Sequence, residues 1–176
     1  MSTTNKPQVD HVVVPGTFDP VTLGHMDVIE RARRLFPHVT VAVAASVGKR
    51  GHGPTFSLEE RAQMIREALD AEGLEDVEVE PFSGLLVEFC RQHGAGGVVK
   101  GLRAMTDFEY EMQQADLNCH LAPELESVFV MSSPQYGYVS SSIVREISSM
   151  GCDVSTLVPP NVNQRLMERF GEAAQK

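Results

Sequence analysis

The sequence predicts an α/β fold: a doubly wound, five-stranded parallel sheet with helices on both faces and a further helix at the C-terminus. Three observations support this prediction. Runs typical of buried strands alternate with amphipathic runs along all 176 residues. The connections are short, and neither a repeat nor a linker interrupts them. Residues suited to binding a phosphorylated ligand follow the strands, where doubly wound sheets bind their ligands.

The first two strand–helix units have clear boundaries. The apolar run 9–14 predicts a strand, and the amphipathic run 25–35 predicts the helix after it. The second strand is predicted at 39–45. The next helix is expected to begin at a capping box, in which the side chains of Ser57 and Glu60 each bind the other's backbone N–H.

The remaining units repeat this order. Strands are predicted at 77–82, 97–100 and 128–131, and helices at 85–94, 106–122, 140–151 and 159–175. Thr106 and Glu109 predict a second capping box. Because crossovers between parallel strands are right-handed, few topologies remain, and the doubly wound sheet leads them. We expect one domain, 1–176, with a flexible N-terminus at 1–8.

Composition excludes several classes of protein. A net charge of −9 argues against broad binding of nucleic acid. No apolar run approaches the roughly 18 residues of a membrane span, and the first ten residues contain no signal-peptide core. We therefore expect a cytoplasmic protein without membrane or nucleic-acid partners. The widely spaced Cys90, Cys119 and Cys152 predict reduced, mostly structural thiols, and no His/Cys cluster has metal-ligand spacing.

The loop after the first strand, GTFDPVTLGH, holds the first candidate site residues. Gly16 allows the backbone to approach a ligand closely, and Thr17 offers a hydroxyl and an N–H. Gly24 and His25 open a helix whose free N–H groups favour an anion, and His25 can donate to phosphate oxygens. The alternative is a tight turn in which His25 only caps the helix.

Two further loops supply positive charge. Lys49 and Arg50 lie among glycines after the second strand, and Lys100 and Arg103 follow the fourth. They either bind anionic ligands or are solvated charges at the rim of the sheet. Glu111 lies near the start of the next helix, where a carboxylate also suits the helix dipole.

The fifth loop ends in YVSSSIVRE. The three serines at 140–142 exceed the single hydroxyl of an N-cap, so they predict a phosphate cradle or a redundant cap. Arg145, one turn later, is able to face the same anion. Tyr136 and Tyr138 either form a wall against a base or pack internally. No Ser-His-Asp or Cys-His pairing is evident, so the combination favours phosphoryl or nucleotidyl transfer.

Two motifs together carry a family resemblance. GTFDPVTLGH, ending in Thr22-Leu23-Gly24-His25, resembles the [TH]xGH signature of the nucleotidyltransferase α/β-phosphodiesterase superfamily, and VSSSIVR resembles its ISSSxx[RK] motif. KGLRAMTDFEYEMQ, with FSLEER and LNCHLAPELESVF, is similar to the phosphopantetheine adenylyltransferase family. The resemblance extends from about Val12 to Arg169 and implies a Rossmann-like fold.

This resemblance implies a reaction. ATP and 4′-phosphopantetheine would give dephospho-coenzyme A and pyrophosphate, the penultimate step of coenzyme A synthesis. The substrate phosphate would itself attack the α-phosphorus, His25 would stabilise the transition state and Thr17 would orient the attack. Lys49 and Lys100 would hold the substrate phosphate, and Leu86 would lie near the pantetheine arm.

The resemblance also implies the ATP site, a metal and partners. ATP would contact Thr17, Phe18, His25, Gly101, Leu102, Arg103, Glu111, Tyr136, Gly137, Tyr138, Val139, Ser140, Ser141 and Ser142. Mg²⁺ would accompany ATP, held by phosphate oxygens and water rather than by a protein cage. The family commonly forms hexamers and is inhibited by coenzyme A.

Two positions depart from the family, and three rival functions stay open. Lys100 stands where many members have Arg, and Gly84 stands where relatives often have Asp. The nearest rival is a superfamily member acting on nicotinamide mononucleotide or glycerol 3-phosphate, which should lack the KGLRAMTDFEYE segment. A non-catalytic nucleotide-binding protein would be favoured by loss of His25 or of the basic loops, and both are present. A fragment of a class I aminoacyl-tRNA synthetase would need a basic surface and a KMSKS-like loop, and neither is visible in the sequence.

Overall fold

A five-stranded parallel sheet lies at the centre of the structure, a computed structural model that describes residues 9–45, 53–103 and 105–171. Its strands are β1 (His11–Gly16), β2 (His38–Ala44), β3 (Glu78–Phe82), β4 (Gly97–Leu102) and β5 (Glu126–Met131). They lie in the order β3-β2-β1-β4-β5, and every neighbouring pair is parallel. The predicted doubly wound sheet is confirmed, whereas the predicted flexible segment 1–8 lies outside the described residues.

Helices follow the strands as the alternation predicted. Within the described ranges they are α1 (Leu23–Leu35), α2 (Leu58–Ala71), α3 (Leu86–Gln92), α4 (Met105–Leu121), α5 (Ser141–Ser149) and α6 (Pro160–Gly171). A 3₁₀ helix at Pro134–Tyr136 was not predicted, because three residues are too few to show a periodic pattern. None of the helices in these ranges has the length and apolar character needed to cross a bilayer.

The helices cover both faces because the central strands bury side chains on both. On one face, Val12, Val14, Val41 and Val43 pack in a core that includes Ile29, Met64, Ile65 and Leu166, from α1, α2 and α6. On the other face, Val13, Ala42 and Val98 pack in a core that includes Val87 and Phe89 from α3, together with Ala122 and Leu125 just after α4. The sheet is thus enclosed, and its carboxyl edge remains for ligands.

One of the two predicted capping boxes is confirmed. Ser57 Oγ accepts from the N–H of Glu60 at 3.2 Å, and Glu60 Oε2 accepts from the N–H of Ser57 at 2.6 Å. The other is wrong, since α4 begins at Met105 and Thr106 lies inside the helix. Met is a strong helix former, so the helix extends one residue beyond the start that the sequence pattern marked.

Gly101 allows α1 to pack directly against β4. A Cβ at Gly101 would lie 2.6 Å from Cγ2 of Val28, a buried and β-branched side chain that has little freedom to move. We expect Gly101→Ala to lower the free energy of unfolding by about 1–3 kcal/mol, as overpacking does. Urea unfolding of Gly101→Ala measures this loss. Gly53→Ala, where no described residue beyond the chain neighbours lies within 4 Å of the new Cβ, should change it by less than about 0.5 kcal/mol.

Candidate active site

A cavity of about 660 Å³ opens at the carboxyl edge of the sheet, by the ends of β1 and β4. The strand order reverses between these two strands, and doubly wound sheets bind ligands at this point. Most of the predicted site residues line the cavity. They are Thr17, Phe18, His25, Leu86, Lys100, Gly101, Arg103, Glu111, Val139, Ser140, Ser141 and Ser142.

The loop after β1 is tightly packed. Phe18 has a φ of 47°, in the left-handed region that non-glycine residues rarely occupy, and its side chain is buried. A Cβ at Gly16 would lie 2.8 Å from Cζ of the Phe18 ring. The packing of Phe18 therefore requires a glycine at position 16, a reason that differs from the ligand approach that the sequence indicated.

His25 forms a capping box with Thr22 at the start of α1. The backbone N–H of Thr22 donates to His25 Nδ1 at 3.0 Å, and Thr22 Oγ1 accepts from the N–H of His25 at 3.4 Å. Because Nδ1 accepts a hydrogen bond, a neutral His25 ring carries its proton on Nε2. His25 therefore caps α1, and this pairing at Nδ1 leaves an Nε2–H donor on a side chain that lines the cavity.

The surroundings of His25 keep its ring neutral. Burial, followed by the positive charges of Arg103 and Lys100, lowers the pKa of His25 from 6.5 to about 4. At neutral pH the ring is therefore a neutral hydrogen-bond donor. Its charge does not change near pH 6.5, where a free histidine titrates.

The lowered pKa of His25 predicts a pH dependence of stability. Between pH 6.5 and about pH 4 the unfolded chain binds a proton at His25 that the folded chain does not. The free energy of unfolding should therefore fall as the pH is lowered through this window, by up to about 3 kcal/mol, and level off below it. Urea unfolding of the wild type and His25→Asn at pH 4 to 7.5 isolates this contribution. Parallel curves for the two proteins would contradict it.

Lys100 and Glu111 form an ion pair on the β4 side of the cavity. Lys100 Nζ lies 3.2 Å from Glu111 Oε2, and the two side chains are 26% and 18% exposed. That oxygen of Glu111 is buried and accepts no hydrogen bond from the described residues. Arg103, after the end of β4, donates to the carbonyl of Val139 at 2.8 Å and so joins this edge to the segment before α5.

The N-termini of α1 and α5 both meet the cavity. Ser140 caps α5 by accepting from the N–H of Ile143 at 3.2 Å, and Ser141 Oγ donates to the carbonyl of Pro20 at 2.7 Å. The backbone N–H groups of Gly24, Ser141 and Ser142 donate to no described residue. Such N–H groups at helix starts favour an anion, so this end of the cavity suits phosphate.

Arg145 does not line the cavity with the serines. Its Nη1 donates to the backbone carbonyl of Asp19 and lies 3.7 Å from Asp19 Oδ2. Asp19 in turn accepts from the N–H groups of Thr55 and Phe56 at 2.9 and 3.0 Å. Its Nη2 donates to Ser142 Oγ at 3.4 Å. Arg145 thus joins the two motif segments beside the cavity, and the expectation that it faces the anion stays a prediction.

Some predicted site residues lie elsewhere. Lys49, with Arg50, lies outside the described residues. Leu102 is part of the buried core, and the segment 136–138 does not line the cavity. Tyr138 is 68% exposed, which contradicts internal packing of this ring.

Gln114 and Asn118 are polar residues of the cavity wall that were not predicted from the sequence. They lie three and seven residues after Glu111 on α4, and this spacing places all three on one helical face. The same spacing could have found them. Among the residues described, no cluster of three or more His, Cys, Asp or Glu side chains is arranged to hold a metal ion.

The chain is similar to known proteins over most of its length. A family profile described as cytidylyltransferase-like matches residues 13–147. The chain is 52% identical to a phosphopantetheine adenylyltransferase from Nitrosomonas eutropha over 161 residues, covering 92% of this chain and 95% of that protein. It is 47% identical to a phosphopantetheine adenylyltransferase from Heliobacterium modesticaldum over 163 residues, covering 93% and 94%.

A solved structure shares the fold. A bifunctional NMN adenylyltransferase/ADP ribose pyrophosphatase from Francisella tularensis superposes with a TM-score of 0.68 at 17% identity. The match covers 94% of this chain and 52% of that one, so the chain spans about half the length of the bifunctional protein. At this identity the match establishes the fold alone.

Proposed function

The chain belongs to the phosphopantetheine adenylyltransferase family, and we propose that it transfers the adenylyl group of ATP to 4′-phosphopantetheine, the penultimate step of coenzyme A synthesis. The products are dephospho-coenzyme A and pyrophosphate. One observation carries the mechanism. His25 offers a neutral Nε2–H donor, fixed by the hydrogen bond of Thr22 to Nδ1, in a cavity where N–H groups of two helix N-termini donate to no described residue.

The reaction needs no protein nucleophile. An oxygen of the 4′-phosphopantetheine phosphate attacks the α-phosphorus of ATP, and the bond from that phosphorus to the pyrophosphate oxygen breaks in line. The attacking oxygen is already anionic, so no base has to remove a proton from it. Catalysis then depends on positioning the two phosphates and on stabilising charge.

His25 and Thr17 act at the reacting phosphorus. As negative charge grows on the oxygens of the α-phosphate, Nε2–H of His25 donates to one of them. Because the donor is neutral and already oriented, its action costs no proton transfer. The hydroxyl of Thr17 orients the attacking phosphate, and Phe18, beside Thr17 in the same loop, adds its backbone N–H.

The other predicted site residues bind the two substrates, including some that do not line the cavity wall. Lys100 holds the substrate phosphate together with Lys49, and Leu86 contacts the pantetheine arm. ATP is bound by Gly101, Leu102, Arg103, Glu111 and the segment from Tyr136 to Ser142, whose Tyr136, Gly137 and Tyr138 lie beyond the cavity wall and would border the adenine. Glu111 lines the cavity beside Lys100, and its carboxylate would accept a hydrogen bond from a hydroxyl or amine of the ligand.

The donor set of the cavity fits Mg²⁺ that arrives with ATP. Among the described residues of the wall, Glu111 is the only carboxylate, and Lys100 already pairs with it. Such a wall suits a cation held by phosphate oxygens and water, with no dedicated protein ligands. The chemistry that Mg²⁺ would supply there is positive charge near the pyrophosphate leaving group.

Pyrophosphate release tests the proposed function. ATP and Mg²⁺ are supplied with 4′-phosphopantetheine, nicotinamide mononucleotide or glycerol 3-phosphate as the acceptor. We expect turnover with 4′-phosphopantetheine alone. Turnover with another acceptor would overturn the substrate assignment. ATP binding without turnover on any acceptor would support a non-catalytic nucleotide-binding protein instead.

We also propose self-association, feedback inhibition and a cytoplasmic location. Large exposed apolar side chains, which mark interfaces, lie outside the cavity wall on α4 and at the end of β5: Phe108, Met112 and Met131. They support a homo-oligomer, a hexamer by the family resemblance, which light scattering in solution can measure.

Coenzyme A carries both the pantetheine and the adenylate parts of the product and should compete for the same cavity. A cytoplasmic location would supply the ATP.

A further inference from the structure

Arg61, in the first turn of α2, is a buried cation that the mechanism above does not use. Its side chain is 1% exposed, and no carboxylate of a described residue lies within 4 Å of its guanidinium. Burial lowers the pKa of Arg61, against the opposing charge of Asp19, yet an arginine stays protonated. A hydrophobic side chain of similar size would fill this space without the desolvation cost of a charge. The charge therefore calls for a reason beyond packing.

The guanidinium of Arg61 binds backbone carbonyls from three separate segments. Nη1 donates to Thr17 O at 2.5 Å and to Ala44 O at 2.9 Å. Nε donates to Phe56 O at 3.1 Å and to Ser57 O at 3.3 Å. Arg61 thus joins the loop after β1, the end of β2 and the start of α2.

The bond to Thr17 determines the direction of one peptide group in the cavity wall. The Thr17–Phe18 peptide is trans, so its C=O and N–H point in opposite directions. Because the C=O of Thr17 is directed to the buried Arg61, the N–H of Phe18 is directed away from it. That N–H donates to no described residue, although Phe18 is only 3% exposed and lines the cavity.

Phe18 has no intrinsic preference for this orientation. Its φ of 47° lies in a region that costs about 1 kcal/mol or more for a non-glycine residue, so the surrounding structure has to hold it. Asp19 fixes the far side of the same loop through the N–H groups of Thr55 and Phe56. Arg61 donates to the carbonyls of Thr17 and Phe56 on the other side. The Thr17–Phe18 peptide therefore lies between the hydrogen bonds of Arg61 and those of Asp19.

We infer that Arg61 is a positioning residue for adenylyl transfer: its fork holds the Thr17–Phe18 peptide so that the Phe18 N–H and the Thr17 hydroxyl face the reacting phosphates. The inference rests on the proposed function. It assigns to Arg61 no contact with substrate, and it attributes the effect to the geometry of the fork rather than to the charge alone.

Three variants test the inference. Arg61→Met keeps the volume and removes the donors, whereas Arg61→Lys keeps the charge but offers one ammonium in place of the fork. Arg66→Met is the matched control, because Arg66 also lies on α2 and donates to a carbonyl, that of Val79 at 3.1 Å, without lining the cavity. For each protein, kcat, KM for both substrates, ATP affinity by calorimetry and the urea midpoint are measured.

We expect Arg61→Met to lower kcat by at least about tenfold per folded molecule, since misplacement of reacting groups by about 1 Å can cost a factor of 10². Arg61→Lys should lose most of the same factor, and ATP affinity should fall in both. Arg66→Met should keep the wild-type kcat. A purely structural role would move the urea midpoint and leave kcat unchanged.

A double-mutant cycle adds a second readout. If Arg61 acts through the loop, Thr17→Ala should cost much less in the Arg61→Met background than in the wild type. Additive effects, or a folded Arg61→Met or Arg61→Lys protein with wild-type kcat, would overturn the inference. If Arg61→Met does not fold, the kcat of folded Arg61→Lys tests the inference in its place.

Failure of the proposed function is recognised separately. In that case the wild type itself releases no pyrophosphate with 4′-phosphopantetheine. ATP affinity then tests Arg61 without turnover: an unchanged affinity in the folded Arg61 variants would overturn the positioning role, and a weakened one would support it.

Discussion

Replacing His25 with alanine is expected to lower kcat for pyrophosphate release by about 10²–10³-fold, the loss typical of removing one donor to a developing oxyanion. The reason is the fixed neutral donor. The N–H of Thr22 donates to Nδ1, and burial with two neighbouring cations keeps the ring neutral. The single ring proton is then on Nε2, where it can be donated to the α-phosphate. KM should change less than kcat, because the bond strengthens as charge develops in the transition state. Steady-state kinetics of purified, folded protein measure both.

A neutral donor also predicts which variant restores activity. The side-chain amide of glutamine offers an N–H near the position of Nε2. The kcat of His25→Gln should therefore be at least about tenfold higher than that of His25→Ala. Between pH 6 and 8, kcat/KM of the wild type should show no step from His25, because its pKa is lowered to about 4. Equal activity of the Gln and Ala variants would contradict the donor role.

Loss of the capping box needs its own control. His25→Ala also removes a capping contact of α1, worth about 1 kcal/mol of stability. Asn161→Ala removes hydrogen bonds to Met64 O and Glu67, at 2.9 and 3.1 Å, from a position outside the cavity wall. It should cost similar stability and keep the wild-type kcat. A large loss of kcat in Asn161→Ala would show that stability, rather than the donor, limits the rate.

The order and types of the main elements could be predicted from the sequence because local patterns determine them. Most strands contain a run of branched apolar residues, and helices such as α1, α2 and α6 have a periodic apolar face, so the five strands and six helices were found with ends a few residues off. The 3₁₀ helix at Pro134–Tyr136 has no period to detect. The start of α4 was misplaced because capping-box residues also occur inside helices.

The edge of the sheet that carries the cavity could also be predicted, since residues that follow parallel strands meet there. The contacts between distant segments could not. Arg61 and Thr17 lie 44 residues apart, and Arg145 and Asp19 lie 126 apart. Nothing in either segment shows which arginine turns into the core and which faces a ligand. The packing reason for Gly16 likewise depends on where the ring of Phe18 falls.

Lys100→Ala is expected to weaken binding of 4′-phosphopantetheine by about 10–100-fold, since a hydrogen bond between charged groups contributes about 1.5–3 kcal/mol. Two effects add in this variant. The phosphate loses a positive partner, and Glu111, 3.2 Å from Lys100 Nζ, loses the charge that neutralises it and then repels the phosphate. ATP affinity should fall less. Isothermal calorimetry of each ligand measures both constants.

A second substitution separates the two effects, because Glu111→Gln in the Lys100→Ala background removes the repulsion and leaves the missing contact. The double variant should bind 4′-phosphopantetheine more tightly than Lys100→Ala does and less tightly than the wild type does. The difference from Lys100→Ala measures the contribution of the repulsion. Lys100→Arg should bind at least as tightly as the wild type, because the guanidinium fork matches a phosphate in two places. Arg91→Ala controls for net charge, because it also removes one positive charge. Arg91 forms exposed ion pairs with Glu88 and Glu124, so its loss should leave the affinity for 4′-phosphopantetheine unchanged. If Lys100→Ala and Arg91→Ala bind 4′-phosphopantetheine equally, Lys100 does not hold the phosphate, and the ion pair with Glu111 serves only to neutralise a buried carboxylate.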